Sequence, residues 1–140
     1  AKLKIKDRMR AWIEHLVLNT ANLSGYPKET FLVMVDDEKR FAPVADSALH
    51  LEHLMNRYWQ GLSMPLSFFP RSSIAYASKE SIDAARKEWR DDTFNNIPGE
   101  GSDPAIQRCF GSAEPFGEEF STLAVELSGP MIRAEEEVTR

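Results

Sequence analysis

The length, composition and charge of the chain already limit its function. It has 140 residues, enough for one domain with a hydrophobic core, and its 42% hydrophobic and 28% charged residues are typical of a globular protein. The formal net charge of -5 excludes a strongly cationic nucleic-acid-binding chain, so any contact with DNA must come from a local patch. The single cysteine, Cys109, cannot form an internal disulfide, and no apolar run is long enough to span a membrane, which together favour a cytoplasmic protein.

The N-terminal segment predicts a strand followed by a helix. Residues 2–6 alternate lysine with apolar residues, which is typical of a strand with one buried face. Asp7 is a suitable N-cap, and from residue 8 to about 21 apolar residues recur at helical spacing. The loop-forming residues 22–27 end this helix.

A β-hairpin is predicted next. Residues 30–35 and 40–44 are short apolar, β-rich runs, and the polar residues 36–39 between them predict the turn. Pro43 places the end of the second strand at a sheet edge, because proline has no amide hydrogen for a central ladder.

A second helix is predicted from an N-cap at Asp46 to a C-cap at Gly61. Its apolar side, which we expect to pack inward, consists of Leu49, Leu51, Leu54, Met55, Tyr58 and Trp59. The irregular segment 62–70 that follows contains two prolines and is too apolar to be fully solvated.

The remaining residues are mostly helical by pattern, which makes the chain an α/β protein of the α+β kind. Helices are predicted at 73–76, from a cap at Ser78 to Trp89, and at about 104–110, 115–127 and 130–138, with a polar loop over 91–103.

No catalytic site, metal site or cofactor is predicted. Asp37-Glu38-Lys39 is an acidic-x-Lys triplet, but it falls in the predicted turn, where polar residues are expected. His50 and His53 share a helix face but lack further metal ligands, so a polar helix face is the better interpretation. Cys109 is interpreted as a small packed residue.

A basic N-terminal row is the candidate DNA-binding site. It consists of Lys2, Lys4, Lys6, Arg8 and Arg10, and its three lysines would share one face of the predicted strand. Such a row either contacts phosphates or protects a strand edge, and the sequence does not decide between these roles.

The apolar irregular segment is the candidate partner-binding site. Its members are Leu62, Met64, Leu66, Phe68 and Phe69. Internal packing of these side chains explains the pattern equally well.

Five segments form a specific pattern. The most unusual is Gly-Leu-x-x-Pro-Leu-x-Phe-Phe-Pro at 61–70. The other four segments lie at 10–16, 41–44, 84–89 and 99–104. Over nearly the whole chain they resemble the C-terminal region of the RecC family, the gamma subunits of bacterial exodeoxyribonuclease V.

The resemblance implies a function in recombinational repair. RecC subunits work with RecB- and RecD-type subunits in a helicase–nuclease that processes double-strand breaks, so double-stranded and single-stranded DNA are expected partners. The chain would be a non-catalytic domain that supports subunit assembly and the separation and guidance of DNA strands. The alternative is an independently active metal-dependent nuclease domain.

The resemblance also implies a fold. Residues 1–140 would form one C-terminal domain, with a decayed restriction-endonuclease-like part at 1–71 and a helical extension at 72–140. Residues 2–6 would replace the strand that carries an acidic-x-Lys motif in active relatives. If earlier strands of that sheet are absent from the chain, it would expose an edge or an apolar face and self-associate.

Overall fold

The chain folds into helices and one small antiparallel sheet, as a computed structural model describes it for residues 4–35 and 38–137. Over these residues the helices are α1 (Ile5–Ala21), α2 (Ser47–Gly61), α3 (Pro70–Lys79), α4 (Ile82–Trp89), α5 (Pro104–Phe110) and α6 (Glu118–Ala134). The strands are β1 (Thr30–Val33), β2 (Glu38–Phe41) and β3 (Glu135–Glu137), in the order β1-β2-β3. The predicted α+β class is confirmed. Two compact units are formed, one by residues 1–59 with 130–140 and the other by residues 60–129.

The predicted N-terminal strand is wrong for the residues described. Lys4 has an extended backbone and is the N-cap of α1, which begins at Ile5, while Lys2 lies outside the described residues. The amide groups of Asp7 and Arg8 both donate to the carbonyl oxygen of Lys4. Asp7 is therefore inside the first turn rather than at the cap, where its negative charge favours the helix N-terminus.

The predicted hairpin is confirmed, with two corrections. β1 and β2 pair antiparallel from Thr30 opposite Phe41 to Val33 opposite Glu38, so Glu38 and Lys39 belong to a strand and not to the turn. β3 pairs with the other side of β2, which makes β2 the central strand and the expected edge position wrong. Pro43 is tolerated because it follows the last paired residue of β2.

Aromatic packing between α1 and the sheet forms the core of the first unit. Trp12, Leu16 and Phe41 are buried, and the rings of Trp12 and Phe41 meet edge to face with centroids 5.4 Å apart. Each fully buried side chain of this size contributes about 1.5–3 kcal/mol. This packing fixes the face that α1 turns toward the hairpin.

The second unit has its own aromatic core. Phe69, Ala85, Trp89 and Phe120 are buried together, with the Phe69 and Trp89 rings 4.8 Å apart. Its helices α3 and α4 correspond to the two helices predicted at 73–76 and from Ser78 to Trp89, but α3 continues to Lys79 and the break falls at Glu80 and Ser81.

The break between α3 and α4 has a local cause. Glu80 takes a left-handed conformation with φ of 48°, which ends α3, and Ser81 rather than Ser78 caps α4 by accepting a bond from the amide of Ala84.

The C-terminal helices were predicted in part. α5 is confirmed, but the two helices expected at 115–127 and 130–138 are one helix, α6, followed by β3. Pro130 lies inside α6 without ending it.

Candidate functional surfaces

The basic N-terminal residues are distributed around a helix rather than along a strand. Lys4 and Lys6 are exposed, whereas Arg8 is half-buried and Arg10 is exposed. Residues two apart in a helix point roughly 200° apart, so Lys6 and Arg10 share one side and Arg8 lies on the other. Arg8 is thus separated from its neighbours in the predicted row.

Arg8 is occupied by a buried carboxylate. Its guanidinium contacts Glu135, with Nε donating to Oε2 over 2.5 Å, and Lys39 Nζ lies 2.5 Å from Oε1 of the same side chain. The Glu135 side chain is only 6% exposed. Since two cations from α1 and β2 neutralise this carboxylate, Arg8 stabilises the unit and its charge is not free for phosphate.

Arg10 is held much more weakly. Its Nε lies 3.0 Å from Oε1 of Glu14, but both side chains are exposed, at 81% and 65%. An exposed pair at this helix spacing is worth about 0.3–0.5 kcal/mol, so a phosphate can compete for Arg10. Lys4, Lys6 and Arg10 are therefore the described members of the row that present accessible charge.

A buried polar network joins α1 to the hairpin and the loop after it. His15 is fully buried; its Nδ1 lies 2.8 Å from Oγ1 of Thr30 and its Nε2 lies 3.0 Å from the carbonyl oxygen of Ala42. A carbonyl only accepts, so Nε2 carries the hydrogen and the Thr30 hydroxyl donates to Nδ1. Burial lowers the pKa of His15, partly offset by the bond to Ala42, which is consistent with a neutral ring.

Asn19 completes this network. Its Nδ2 donates to the carbonyl oxygens of His15 and Lys28, and its Oδ1 accepts from the amide of Val44. The inner face of α1 thus binds backbone groups that would otherwise be unsatisfied.

The apolar segment 62–69 is divided between surface and core. Leu62 and Met64 are 62% and 49% exposed, Leu66 and Phe68 are half-buried, and Phe69 is 2% exposed in the core of the second unit. The internal-packing alternative therefore holds for Phe69, whose ring is not available to a partner. Leu62 and Met64 are the candidate side chains most accessible to a partner.

A cap on α3 holds the end of this segment. The carboxylate of Glu100 accepts from the amides of Arg71 and Ser72 over 3.0 and 2.8 Å, because Phe69, the N-cap residue, has no polar side chain to do so. The amide of Phe69 donates to Oγ of Ser73. The backbone where the segment enters α3 is consequently fixed.

Four side chains on α2 that were predicted to pack inward are exposed. Leu49 is 48% exposed, and Met55, Tyr58 and Trp59 are 67%, 67% and 74% exposed, all in the first unit. Helical spacing identifies an apolar face but not what covers it. Contiguous exposed apolar side chains of this size are typical of an interaction surface.

The other candidate residues have ordinary environments. His50 Nε2 lies 3.2 Å from Oδ2 of Asp46, which directly precedes α2, in agreement with a polar helix face. Cys109 is exposed, so its interpretation as a packed residue is wrong. Among the described residues no group of three His, Cys, Asp or Glu side chains could hold a metal ion, and none of the described helices could cross a membrane.

Fold and surfaces together define a small α+β protein with accessible basic side chains in its first unit and accessible apolar side chains in each of its two units. The chain belongs to the RecC C-terminal domain family, whose model matches residues 1–81. It is 35% identical over 92 residues to the RecBCD enzyme subunit RecC of Escherichia coli strain K12, an alignment that covers 64% of this chain and 8% of that protein. No solved structure gives a significant match.

Proposed function

We propose that this chain is a non-catalytic domain of the gamma subunit of exodeoxyribonuclease V, which supports assembly with RecB- and RecD-type subunits and guides DNA strands. The observation that carries the proposal is the family match over residues 1–81, which includes the exposed apolar segment and the basic helix start. The chain spans only 8% of the length of its curated relative, so the activity and partners of the whole enzyme come to it by inference. A cytoplasmic location follows from the same proposal.

The assembly role is supported by Leu62 and Met64. They are exposed on a backbone that Phe69 anchors in a hydrophobic core and that Glu100 caps at the start of α3. A partner that covers them removes apolar area from water without having to order a flexible loop, which lowers the entropic cost of binding. Leu66 and Phe68, half-buried, would form the rim of the same contact.

The DNA-binding role is supported by Lys4, Lys6 and Arg10, with Lys2 retained as a prediction outside the described residues. Three phosphate contacts give a dependence of log affinity on log salt with a slope of about -2.7, or about a 40-fold loss between 50 and 200 mM salt. Arg8 contributes to folding instead, because Glu135 neutralises it.

We further propose that residues 1–71 are a decayed restriction-endonuclease-like part and residues 72–140 a helical extension, except that Glu135–Glu137 return to pair with β2. The order α1-β1-β2-α2 and the packing of α1 on the hairpin support this assignment. The expected correspondence of residues 2–6 to a motif-bearing strand fails at Ile5 and Lys6, which are helical. The carboxylate of Glu135 is bound by Arg8 and Lys39, an arrangement that suits a structural role better than cation binding.

Capture by partner subunits tests the assembly role. The 140-residue chain would be immobilised and exposed to cognate RecB- and RecD-type subunits, together with the double variant Leu62→Ser, Met64→Ser. The matched control is Ile97→Ser, Val125→Ser, which removes two side chains of similar exposure, 49% and 48%, from the same unit. We expect capture to fall about tenfold or more only in the first variant, as at interface hot spots.

Two results would contradict the assembly role. One is no capture of any subunit by the folded wild-type chain. The other is an equal loss of capture in both double variants, which would show that the exposed segment has no special part in binding.

A hydrolysis assay tests the alternative of an active nuclease. We expect the chain to leave single-stranded and double-stranded DNA intact in magnesium and in manganese. Metal-dependent hydrolysis that disappears in Lys39→Ala would support the alternative, since Lys39 lies in the acidic-x-Lys triplet.

A further inference from the structure

An acidic strand covers a cluster of cations in the first unit. β3 is formed by three successive glutamates and pairs antiparallel with β2. Its Glu135 carboxylate contacts Arg8 of α1 and Lys39 of β2, and both of these cations are mostly buried. The next carboxylate, that of Glu136, lies 3.4 Å from the guanidinium of Arg40 on β2. Two neighbouring carboxylates of one short strand therefore face three cations.

The cover becomes weaker toward the C-terminal end of β3. The side chain of Glu135 is 6% exposed, whereas that of Glu136 is 53% exposed. Arg40 shares its charge with Glu29, 3.5 Å away, and its buried Nε has no hydrogen-bond partner among the described residues. Glutamate has low strand propensity, and β3 is an edge strand within the described part of the chain, so it opens locally at low cost. Opening of the sheet is therefore expected to begin at Glu137.

Uncovering these cations would extend the accessible basic surface at the start of α1. The amide of Arg8 donates to the carbonyl oxygen of Lys4, one helical turn earlier, so the two residues lie on the same side of α1. Lys4 is exposed, and Lys39 contacts the same carboxylate as Arg8. A DNA strand bound at Lys4 is thus next to two further cations, whose phosphate sites Glu135 occupies.

We propose that β3 is an autoinhibitory acidic strap, whose carboxylates take the places of DNA phosphates until a DNA strand displaces it. Such a strap depends on the proposed function in guiding DNA strands, because DNA is what displaces it. Displacement differs from loss of Glu135 by mutation, since the freed carboxylate becomes hydrated while a phosphate replaces it beside Arg8 and Lys39. Three released cations would join the three accessible ones, so the slope of log affinity against log salt would steepen from about -2.7 to about -5.4.

A salt titration and hydrogen exchange of the wild-type 140-residue chain test the acidic strap. Binding to a fluorescent single-stranded oligonucleotide, measured by anisotropy between about 50 and about 200 mM salt, should give the steeper slope. Hydrogen exchange followed by mass spectrometry should be faster in segments 38–41 and 135–137 when DNA is bound, because their pairing is lost.

The double variant Glu136→Gln, Glu137→Gln weakens the acidic strap while Glu135 stays in place. It should bind DNA about fivefold more tightly at about 150 mM salt, since two carboxylates no longer compete with phosphate. The matched control, Asp46→Asn, Glu52→Gln, removes the same charge from α2 and the residue before it, in the same unit, and should change the affinity by about twofold or less. Circular dichroism verifies that both double variants are folded.

The outcomes separate the acidic strap from the DNA-guiding role. DNA binding that leaves the exchange of segment 135–137 unchanged overturns the strap but not the DNA-guiding role. So does an equal gain in affinity in both double variants. Absence of DNA binding by the folded wild-type chain and by the strap variant alike overturns both.

Discussion

Replacing Gly99 by alanine places a methyl group where backbone atoms already lie. A Cβ on Gly99 would come closer than 3.0 Å to the carbonyl oxygen of Trp89 and to the carbonyl group of Arg90, a distance that real Cβ atoms do not reach. The φ of Gly99 is -68°, which alanine adopts freely, so the effect is steric and not conformational. Either the end of α4 or the turn that carries Glu100 must move.

The expected loss of unfolding free energy depends on which neighbouring atoms can move away from the new methyl group. Forcing extra atoms into a packed region costs about 1–3 kcal/mol, and backbone yields less than side chains, so we expect about 3 kcal/mol for Gly99→Ala. In Gly101→Ala the new methyl would lie closer than 3.0 Å to the indole of Trp89, which is buried against Phe69 and must shift within the core, so about 2 kcal/mol is expected. Gly117 has nothing within 4 Å of its added Cβ, and Gly117→Ala should stay within about 1 kcal/mol of wild type.

Urea unfolding, followed by circular dichroism and tryptophan fluorescence, measures the three free energies of unfolding. The expected order of destabilisation is Gly99→Ala, then Gly101→Ala, then Gly117→Ala. If Gly99→Ala were as stable as Gly117→Ala, the close approach of Gly99 to the backbone of Trp89 and Arg90 would be refuted.

Three further predictions concern the cap of α3 and the buried polar contacts of the first unit. Glu100→Ala removes the charged cap of α3 and should lower the free energy of unfolding, measured in urea, by about 1–3 kcal/mol. Glu100→Gln should lose less because one acceptor oxygen remains. Equal stability of both variants and wild type would contradict the cap. Burial lowers the pKa of His15, so the folded chain binds a proton at His15 less readily than the unfolded chain. The contribution of neutral His15 to the free energy of unfolding is therefore complete above the unfolded pKa of about 6.5 and declines as the pH falls below it. NMR titration of the imidazole should place its midpoint below 6.5, and a midpoint above that value would contradict its burial. Glu135→Gln leaves Arg8 and Lys39 without a counter-charge and should cost about 2–3 kcal/mol in thermal or urea unfolding, whereas an unchanged midpoint would show the ion pairs to be unimportant.

Local patterns predicted the elements whose cause is local. The hairpin followed from two β-rich runs, and α2 and α5 from apolar spacing, a cap and prolines. The alternation at residues 2–6 misled at Ile5 and Lys6, because so short an alternation does not exclude the start of a helix, in whose first turn Asp7 is favourable. Periodicity over so short a window does not separate the two structures.

Strand β3 could not be predicted because its cause is tertiary. Three successive glutamates have low strand propensity, yet Glu135 is drawn beside β2 by Arg8 and Lys39, and Glu136 lies 3.4 Å from Arg40. The cations that select this conformation lie far away along the chain. The residues next to Glu135 in the sequence therefore do not predict a strand.

The candidate surfaces were predicted in part for a similar reason. Hydrophobicity identified the segment that contains Met64 and Phe69, but the fold alone decides that Met64 is exposed and Phe69 is buried. Trp59 shows the converse, an apolar residue at core spacing that the fold leaves 74% exposed. Sequence indicates which side chains are apolar, and packing determines which of them a partner can reach.

The hydrogen bond between Arg8 and Glu135 joins residues 127 positions apart, and this separation affects how the chain folds during synthesis. On the ribosome α1 and the hairpin emerge well before the strand that completes their sheet. Residues 60–129, a compact unit contiguous in sequence, emerge entirely before that strand. Nascent chains acquire structure from the N-terminus as they emerge, so the unit at 60–129 can fold while the first unit is still incomplete, and its folding shortens the loop that the first unit must close.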